Sequence, residues 1–416
     1  MAGRAPPPGG TRALTRIYAD HAATTPVRDE TLAAMLPYFT THGYNAGSLH
    51  AEGRAARAAL DGARATVACV LHAKPREIVF TGGGSESDNL AIFGAARAAR
   101  AADPTRRHVV TVATEHHAVL HAVLALRDEG FAVTVLPVDA DGRLDPRDVA
   151  AATTDRTALV TIMLANNELG TVHPVAAFAA AAHACGALFH TDAVQAPGRL
   201  PLDVAALGVD LLSLAAHKFY GPKGAGVLYV RTGTALAPLA LGGGQESGLR
   251  AGTENVAGMV GLAHALDLAE SERPMEAARL AALRDRFERA VVAAMPGARV
   301  NAAGAPRLPN VASIAVPGID VAAALVRLDL EGIAASAGSA CAAGAGEPSH
   351  VLAALPIPQW AKTRTLRFSL GRSTSEQDVV RLERMVPQVL HAVREDDADV
   401  GTALTGSHSS LAEVRF

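Results

Sequence analysis

Cysteine is scarce: Cys69, Cys185 and Cys341 are the only three in 416 residues. An odd, widely spaced set with no Cys-x-x-Cys pair argues against a disulfide framework and a zinc site. The histidines show no His-Glu-x-x-His and no Cys/His ligand spacing, so no metal is expected. Long apolar runs are missing as well, and none approaches the roughly 18 to 20 residues of a membrane span. Neither sign of charge dominates: 38 Lys and Arg against 41 Asp and Glu leave a net charge of −3. That gives no electrostatic footprint for direct DNA binding or for an anionic membrane. Lysine is scarcest among the basic residues, since only Lys74, Lys218, Lys223 and Lys362 occur. Where charge alone is needed this chain uses arginine, which singles out a lysine as wanted for its amine. Residues 1–16 carry arginines and the run Pro6-Pro7-Pro8-Gly9-Gly10 but no apolar signal-peptide core. They read as a disordered tail of a cytoplasmic protein, and residues 396–416, acidic and Ser-rich, as a flexible tail.

What is present is globular: 49% of residues are apolar and 19% charged, and the length suggests two domains. From about residue 77 to 230, short apolar runs alternate with helix-period segments. The runs are Ile78 to Phe80, Val109 to Ala113, Ala132 to Leu136, Ala158 to Leu164, Ala187 to His190, Asp210 to Ala216 and Gly226 to Val230. Helical stretches such as Asn89 to Ala102 and Val175 to Ala184 lie between them. This alternation predicts an α/β fold with a large, doubly wound, mostly parallel sheet, whose ligands sit beyond the carboxyl ends of its strands. A helical block from Asn255 to about Met295 leads to a second pattern: strand Val311 to Val316, helix Val321 to Leu330, strand Leu366 to Leu370, helix Glu376 to Val393. It reads as a smaller α+β domain over 266–395, after a large domain over 17–265 whose first residues could pack on the small one.

Polar clusters fall where strands should end. Thr81-Gly82-Gly83-Gly84-Ser85-Glu86 opens a helix, and free amides at a helix N-terminus suit a phosphate; many such glycine runs are only turns. Asp192 follows the Ala187 to His190 run. It could be a helix cap, or the buried carboxylate that keeps a pyridine nitrogen protonated. Lys218 follows Leu211 to Ala216, and an amine in a desolvated pocket becomes a nucleophile able to form a Schiff base. Its rival Lys223 lies in a Gly-Pro-Lys-Gly turn and should be exposed. Phosphate site, carboxylate and lysine at strand ends of one sheet together describe a pyridoxal-phosphate pocket. In such a pocket one imidazole of Glu115-His116-His117 could stack on the cofactor. Asn166 and Asn167 could satisfy backbone groups or bond the cofactor's phenolic oxygen. Cys69 and Cys185 read as small buried hydrophobes. Cys341 differs, because Ser336 to Gly346 is all Gly, Ser and Ala around it and should be an exposed, mobile loop that can carry a nucleophilic thiol.

Several motifs resemble the cysteine desulfurases of the NifS/IscS type, within the class V aminotransferase group of fold-type I pyridoxal enzymes. They are Tyr18-Ala19-Asp20-His21-Ala22-Ala23-Thr24-Thr25-Pro26, Glu86-Ser87-Asp88-Asn89-Leu90-Ala91, Asn166-Asn167-Glu168-Leu169-Gly170, His217-Lys218, Arg250-Ala251-Gly252-Thr253-Glu254-Asn255, Ser339-Ala340-Cys341 and Arg367-Phe368-Ser369-Leu370-Gly371. The resemblance runs from about Ile17 to about Val393. It implies that Lys218 carries pyridoxal 5'-phosphate, that Asp192 pairs with the pyridine nitrogen and that His116 stacks on the ring. Gln195 and Asn167 would lie near the phenolic oxygen, and Gly84, Ser85 and His217 would hold the phosphate. Thr253 would reach a partner subunit's phosphate, which implies a homodimer. Asn45 and Arg367 would bind the carboxylate of L-cysteine, and Cys341 would carry the persulfide to a sulfur-acceptor protein. This chain departs from the pattern at Ala215, where the family usually has a hydroxyl, so one phosphate hydrogen bond worth about 1 kcal/mol net is missing. It departs again at Gly84-Ser85 (usually Ala-Thr) and Asn45-Ala46-Gly47-Ser48 (usually Asn-Pro-Ser-Ser). The expected function is therefore conversion of L-cysteine to L-alanine with a persulfide on Cys341. The rivals are a C–S lyase or class V aminotransferase that ignores Cys341, and a catalytically silent partner in a sulfur-transfer complex.

Overall fold

The structure, a computed structural model, describes residues 16–337 and 349–394 of the 416-residue chain. Apart from Arg16, the two expected tails lie outside the described residues, and so does the Cys341 segment.

After a short first strand, β1 (Ile17–Tyr18), come the strands of the main sheet: β2 (Ile78–Thr81), β3 (His108–Val112), β4 (Ala132–Leu136), β5 (Thr157–Thr161), β6 (Leu188–Asp192), β7 (Leu211–Ala215) and β8 (Gly226–Val230). In space they run β2-β8-β7-β6-β5-β3-β4. All neighbours pair in parallel except β8, which runs against both β2 and β7. The carboxyl ends of β2, β3, β5, β6 and β7 therefore share one rim. Successive side chains along a strand point to opposite faces, and here both faces are covered. Phe80, Val110, Val112, Leu212, Leu214 and Val227 enter one core with the helices Ala51–Val70 and Val175–Ala184. Val79, Val109, Leu159, Leu211 and Leu228 enter another with Leu90, Ile92 and Ala95 of the helix Gly84–Ala102. Burial on both sides is why these strands read as continuous apolar runs.

The second pattern is built on β9 (Arg299–Val300), β10 (Val311–Ala315), β11 (Ile333–Ala334) and β12 (Thr365–Ser369). β10 is the centre of an antiparallel sheet ordered β12-β10-β9, with Ser313 opposite Arg367. The helices Val321–Leu330 and Glu376–Ala392 pack on it through Ala324, Leu328, Val379, Leu382 and Val386. β1 pairs in parallel with β11, and Ile17 and Ala19 join this core. The block expected as helices from Asn255 is one helix, Val256–Ala294, with Pro274 inside it. Its residues Val256 to Leu266 belong to the core of the main sheet and Leu280 to Val291 to the second core.

Two expectations fail at cysteines. Cys69 is exposed and Cys185 only half-buried. Cys69 sits on the helix Ala51–Val70, whose core stripe is Ala56, Leu60, Ala63 and Val67, and two residues past Val67 it falls off that stripe and faces solvent. Cys185 follows the last turn of Val175–Ala184, where its sulfur reaches only the Thr153 carbonyl at 3.5 Å. Among the described residues no helix is long and apolar enough to cross a membrane, and no group of three His, Cys, Asp or Glu side chains is arranged to hold a metal ion.

Candidate active site

The β2 end turns through Gly82 and Gly83 into the helix Gly84–Ala102. Gly83 has φ +151°, a conformation side chains rarely allow, and it caps the helix with no side-chain hydrogen bond. The turn also passes very close to the start of β8, since a Cβ on Gly226 would meet the Gly83 carbonyl carbon at 2.6 Å. The Gly82 amide is taken by Glu86 at 2.7 Å, and Glu86 is held by Arg250 at 2.9 Å. The first helical amides, at Gly84 and Ser85, have no side-chain cap and form an anion site at the positive end of a 19-residue helix.

The other strand ends supply the remaining groups. After β3, His116 caps the next helix, its Nδ1 accepting from Ala118 N at 3.2 Å. Desolvation by the surrounding walls, reinforced by the Lys218 charge, lowers the imidazole to about 4, so it is neutral. After β5, the two asparagines divide the roles. Asn166 satisfies backbone, accepting from Glu168 N and Leu169 N at 2.8 Å each and donating to Thr114 O at 2.9 Å. Asn167 instead lines the hollow. Asp192 is the last residue of β6. One of its oxygens accepts from Val194 N at 2.9 Å, and burial raises its carboxyl to about 6. Gln195 donates to Ala22 O at 3.0 Å while its Oε1 is buried with no partner among the described residues. After β7, His217 shares a hydrogen bond with Thr24 Oγ1 at 3.1 Å, and Lys218 Nζ donates to the carbonyls of Ala22 and Ala23 at 2.7 and 2.8 Å. Burial first, then the Arg367 charge, lowers the Lys218 amine to about 8. Lys223 is exposed, as its turn predicts.

These ends enclose one hollow of about 210 Å³, lined by Gly84, Ser85, His116, Asn167, Asp192, Gln195, His217 and Lys218. Asp88, Met163, Ala165, Val194 and Ala215 complete the wall. A phosphorylated pyridine aldehyde fits this donor set. There is an open helix N-terminus for the phosphate, a carboxylate for the ring nitrogen, an orphaned Gln195 oxygen and an amine of depressed proton affinity. Asp88 lies in a motif visible in the sequence, yet sequence reasoning gave it no role, and Glu115 likewise. Both carboxyls are fully buried, each with one oxygen unpartnered among the described residues. Burial, with the Asp192 charge second, raises both well above the ordinary carboxyl value, which favours their protonated form.

Arg367 comes from β12 and is 2% exposed. It donates to Asn167 O at 3.0 Å and to Asp20 Oδ1 at 2.8 Å, and its Nε is buried without a partner among the described residues. An orphaned guanidinium N–H beside the hollow suits an incoming carboxylate. Asn45 is not brought there. It sits in an exposed turn, accepting from Gly47 N at 2.8 Å. Thr253 is exposed too and does not line the hollow. Cys341 lies outside the described residues, but both flanks of its segment meet groups of this site. Ser336 exchanges backbone hydrogen bonds with Arg367 at 3.1 and 2.7 Å, Ser349 Oγ donates to Glu168, and His350 Nε2 contacts Glu115 O at 2.7 Å.

Aminotransferase class-V is the family whose model matches residues 17–382, and the chain belongs to that family. The cysteine desulfurase NifS of Azotobacter vinelandii is 45% identical over 382 residues, 92% of this chain and 94% of that protein. The cysteine desulfurase IscS of Dictyoglomus turgidum is 43% identical over 378 residues, covering 91% and 95%. Among solved structures, a NifS-like protein superimposes with a TM-score of 0.83 at 33% identity, covering 91% of this chain and 100% of that one.

Proposed function

We propose that this protein is a pyridoxal-phosphate-dependent cysteine desulfurase, which turns L-cysteine into L-alanine and passes the sulfur, as a persulfide on Cys341, to an acceptor protein. The observation that carries the reading is the convergence of Lys218, Asp192 and an uncapped helix N-terminus on one hollow, with the orphaned Arg367 Nε beside it. Pyridoxal phosphate, when bound, supplies an electron sink for the charge left at the substrate Cα. Gly84, Ser85 and His217 would hold its phosphate, and Asp192 a proton on its ring nitrogen. His116 would lie against the ring as a neutral plane, with Asn167 and Gln195 beside the phenolic oxygen. Lys218 would hold the cofactor through its amine and then move the Cα proton, a task suited to a group near neutrality.

Arg367 would orient the substrate by its carboxylate. The Cys341 thiolate would attack the substrate sulfur. An S–S bond forms and the Cβ–S bond breaks, the electron pair stays with the carbon skeleton, and protonation there leaves alanine. The product tests the reading. Alanine supports it, whereas pyruvate with free sulfide would favour a C–S lyase and no turnover a silent partner.

The homodimer belongs to the same proposal. Leu49, Leu241 and Phe39 are 90%, 83% and 61% exposed, and large apolar side chains left open in this way suit a subunit interface. The turn holding Asn45 and the segment holding Thr253 lie on either side of Arg57. Arg57 joins them, donating to Ala46 O at 3.1 Å and to Glu254 at 2.7 Å. Thr253 would reach the partner's phosphate, and Asn45 its substrate, across that interface. An active, cofactor-saturated monomer in light scattering would remove this part. The division into domains 17–265 and 266–395 is likewise proposed, supported by the change of core along Val256–Ala294. A working thiol and the exposed Cys69 fit a reducing, cytoplasmic compartment.

A further inference from the structure

Lys218 is the shared wall of two hollows. One is the site above. The other is small and lies against Arg28, Arg199, Tyr220, Glu272 and Glu276. Arg199 is 7% exposed, and its guanidinium donates only to carbonyls, to Gln195 O at 3.0 Å and to Lys218 O at 3.2 Å. The carboxylates of that hollow are engaged by other arginines, Glu272 by Arg28 at 2.8 Å and Glu276 by Arg279 at 2.9 Å. Among the described residues Arg199 thus forms no ion pair. A guanidinium does not shed its proton in a protein, so a full positive charge is held in the interior against its desolvation penalty. Buried charges kept in this way cluster at functional sites.

We propose that Arg199 is a positioning residue, a fixed cation braced on the Lys218 carbonyl that biases the Lys218 amine from behind toward the form that attacks carbon. The inference rests on Lys218 as the cofactor-bearing lysine. The charged and titratable groups acting on that amine are Arg367 and Arg199, which repel its proton, Asp192 and Asp20, which attract it, and the neutral His116 and His217. The two arginines differ in persistence. Arg367 is already paired with Asp20 and would be neutralised further by a substrate carboxylate. Arg199 touches neither, so its field on Lys218 outlasts substrate binding.

The test uses apoprotein and pyridoxal phosphate without substrate, following covalent attachment by absorbance and by borohydride trapping on Lys218 as a function of pH. Wild type and Arg199→Lys should capture the cofactor with a common midpoint near pH 8, the value set by Lys218. In Arg199→Gln the midpoint should rise by about half a unit or more, slowing capture at neutral pH about threefold. Arg199→Met serves as the neutral variant should the Gln variant not fold. With cysteine, the neutral variant should lose kcat at neutral pH while KM holds. A wild-type midpoint in the neutral variant overturns the proposal, and so does a midpoint in Arg199→Lys shifted as far as in the neutral one. If wild type itself is not trapped on Lys218, the fault lies with the functional reading instead.

Discussion

Ala215→Ser should tighten the hold on pyridoxal phosphate. Ala215 ends β7, is 1% exposed and lines the hollow next to Gly84. A Cβ built on Gly84 would lie 3.3 Å from the Ala215 Cβ and 3.0 Å from Val194 Cγ2. Because position 84 is glycine, that wedge is free of side chain, and a serine Oγ has room to turn toward the helix N-terminus. One hydroxyl to a phosphate oxygen contributes about 1 kcal/mol net, which lowers Kd about fivefold. Gly84→Ala fills the same wedge with contacts tighter than ordinary packing and should weaken binding. Titrating apoprotein with pyridoxal phosphate by equilibrium dialysis at fixed ionic strength measures wild type and both variants. An Ala215→Ser protein of unchanged Tm whose Kd is equal to or weaker than wild type would refute a phosphate seated between β7 and the Gly84 turn.

Lys218→Ala should abolish covalent attachment of the cofactor while Lys223→Ala, in its exposed turn, keeps it; the reverse pattern in a borohydride-trapping assay would exchange their roles. Arg367→Gln should raise KM for cysteine about tenfold to a hundredfold, the range of a charged hydrogen bond, with cofactor affinity held; an unchanged KM contradicts the carboxylate role. His173 is 3% exposed with neither ring nitrogen partnered among the described residues, and burial lowers it from 6.5 to about 4. The unfolded chain therefore takes up a proton below 6.5 that the folded one refuses until about 4, so stability is lost as pH falls through that window. At about pH 5 the loss is about 2 kcal/mol. His173→Phe should abolish it, read as urea midpoints at acid and slightly alkaline pH; identical pH dependence in both proteins would contradict this.

The main sheet was legible because parallel strands covered on both faces leave continuous apolar runs such as Leu211 to Ala215. The helices Val175–Ala184 and Val321–Leu330 were legible end to end. The helices Asp29–Met35 and Ala51–Val70 were not placed, the latter because alanine and glycine make up much of its buried stripe. Strand-end position found Lys218, Asp192, His116 and Gly84. It could not find what depends on partners remote in sequence. Asp20 engages Arg367 from 347 residues away, and Arg199 acquires its place only once the turn after β7 brings the Lys218 carbonyl to it. Buried Asp88 and Glu115 were missed for a related reason, since their raised proton affinity comes from desolvation beside Asp192. Cys69 and Cys185 were misread because a cysteine's usual burial does not fix its place on a helix: Cys69 lies off the buried stripe and Cys185 past the helix end.

In the proposed reaction, sulfur leaves cysteine onto Cys341. Wild type and Cys341→Ser, both reconstituted with pyridoxal phosphate, are incubated with L-cysteine, and alanine, pyruvate and the mass of the peptide bearing residue 341 are followed together. Wild type should yield alanine, with one extra sulfur on the Cys341 peptide. Cys341→Ser should keep its cofactor yet lose alanine production by several orders of magnitude, because a hydroxyl is a poor attacker of divalent sulfur. Full alanine production by Cys341→Ser, or pyruvate and sulfide from both proteins, would contradict it.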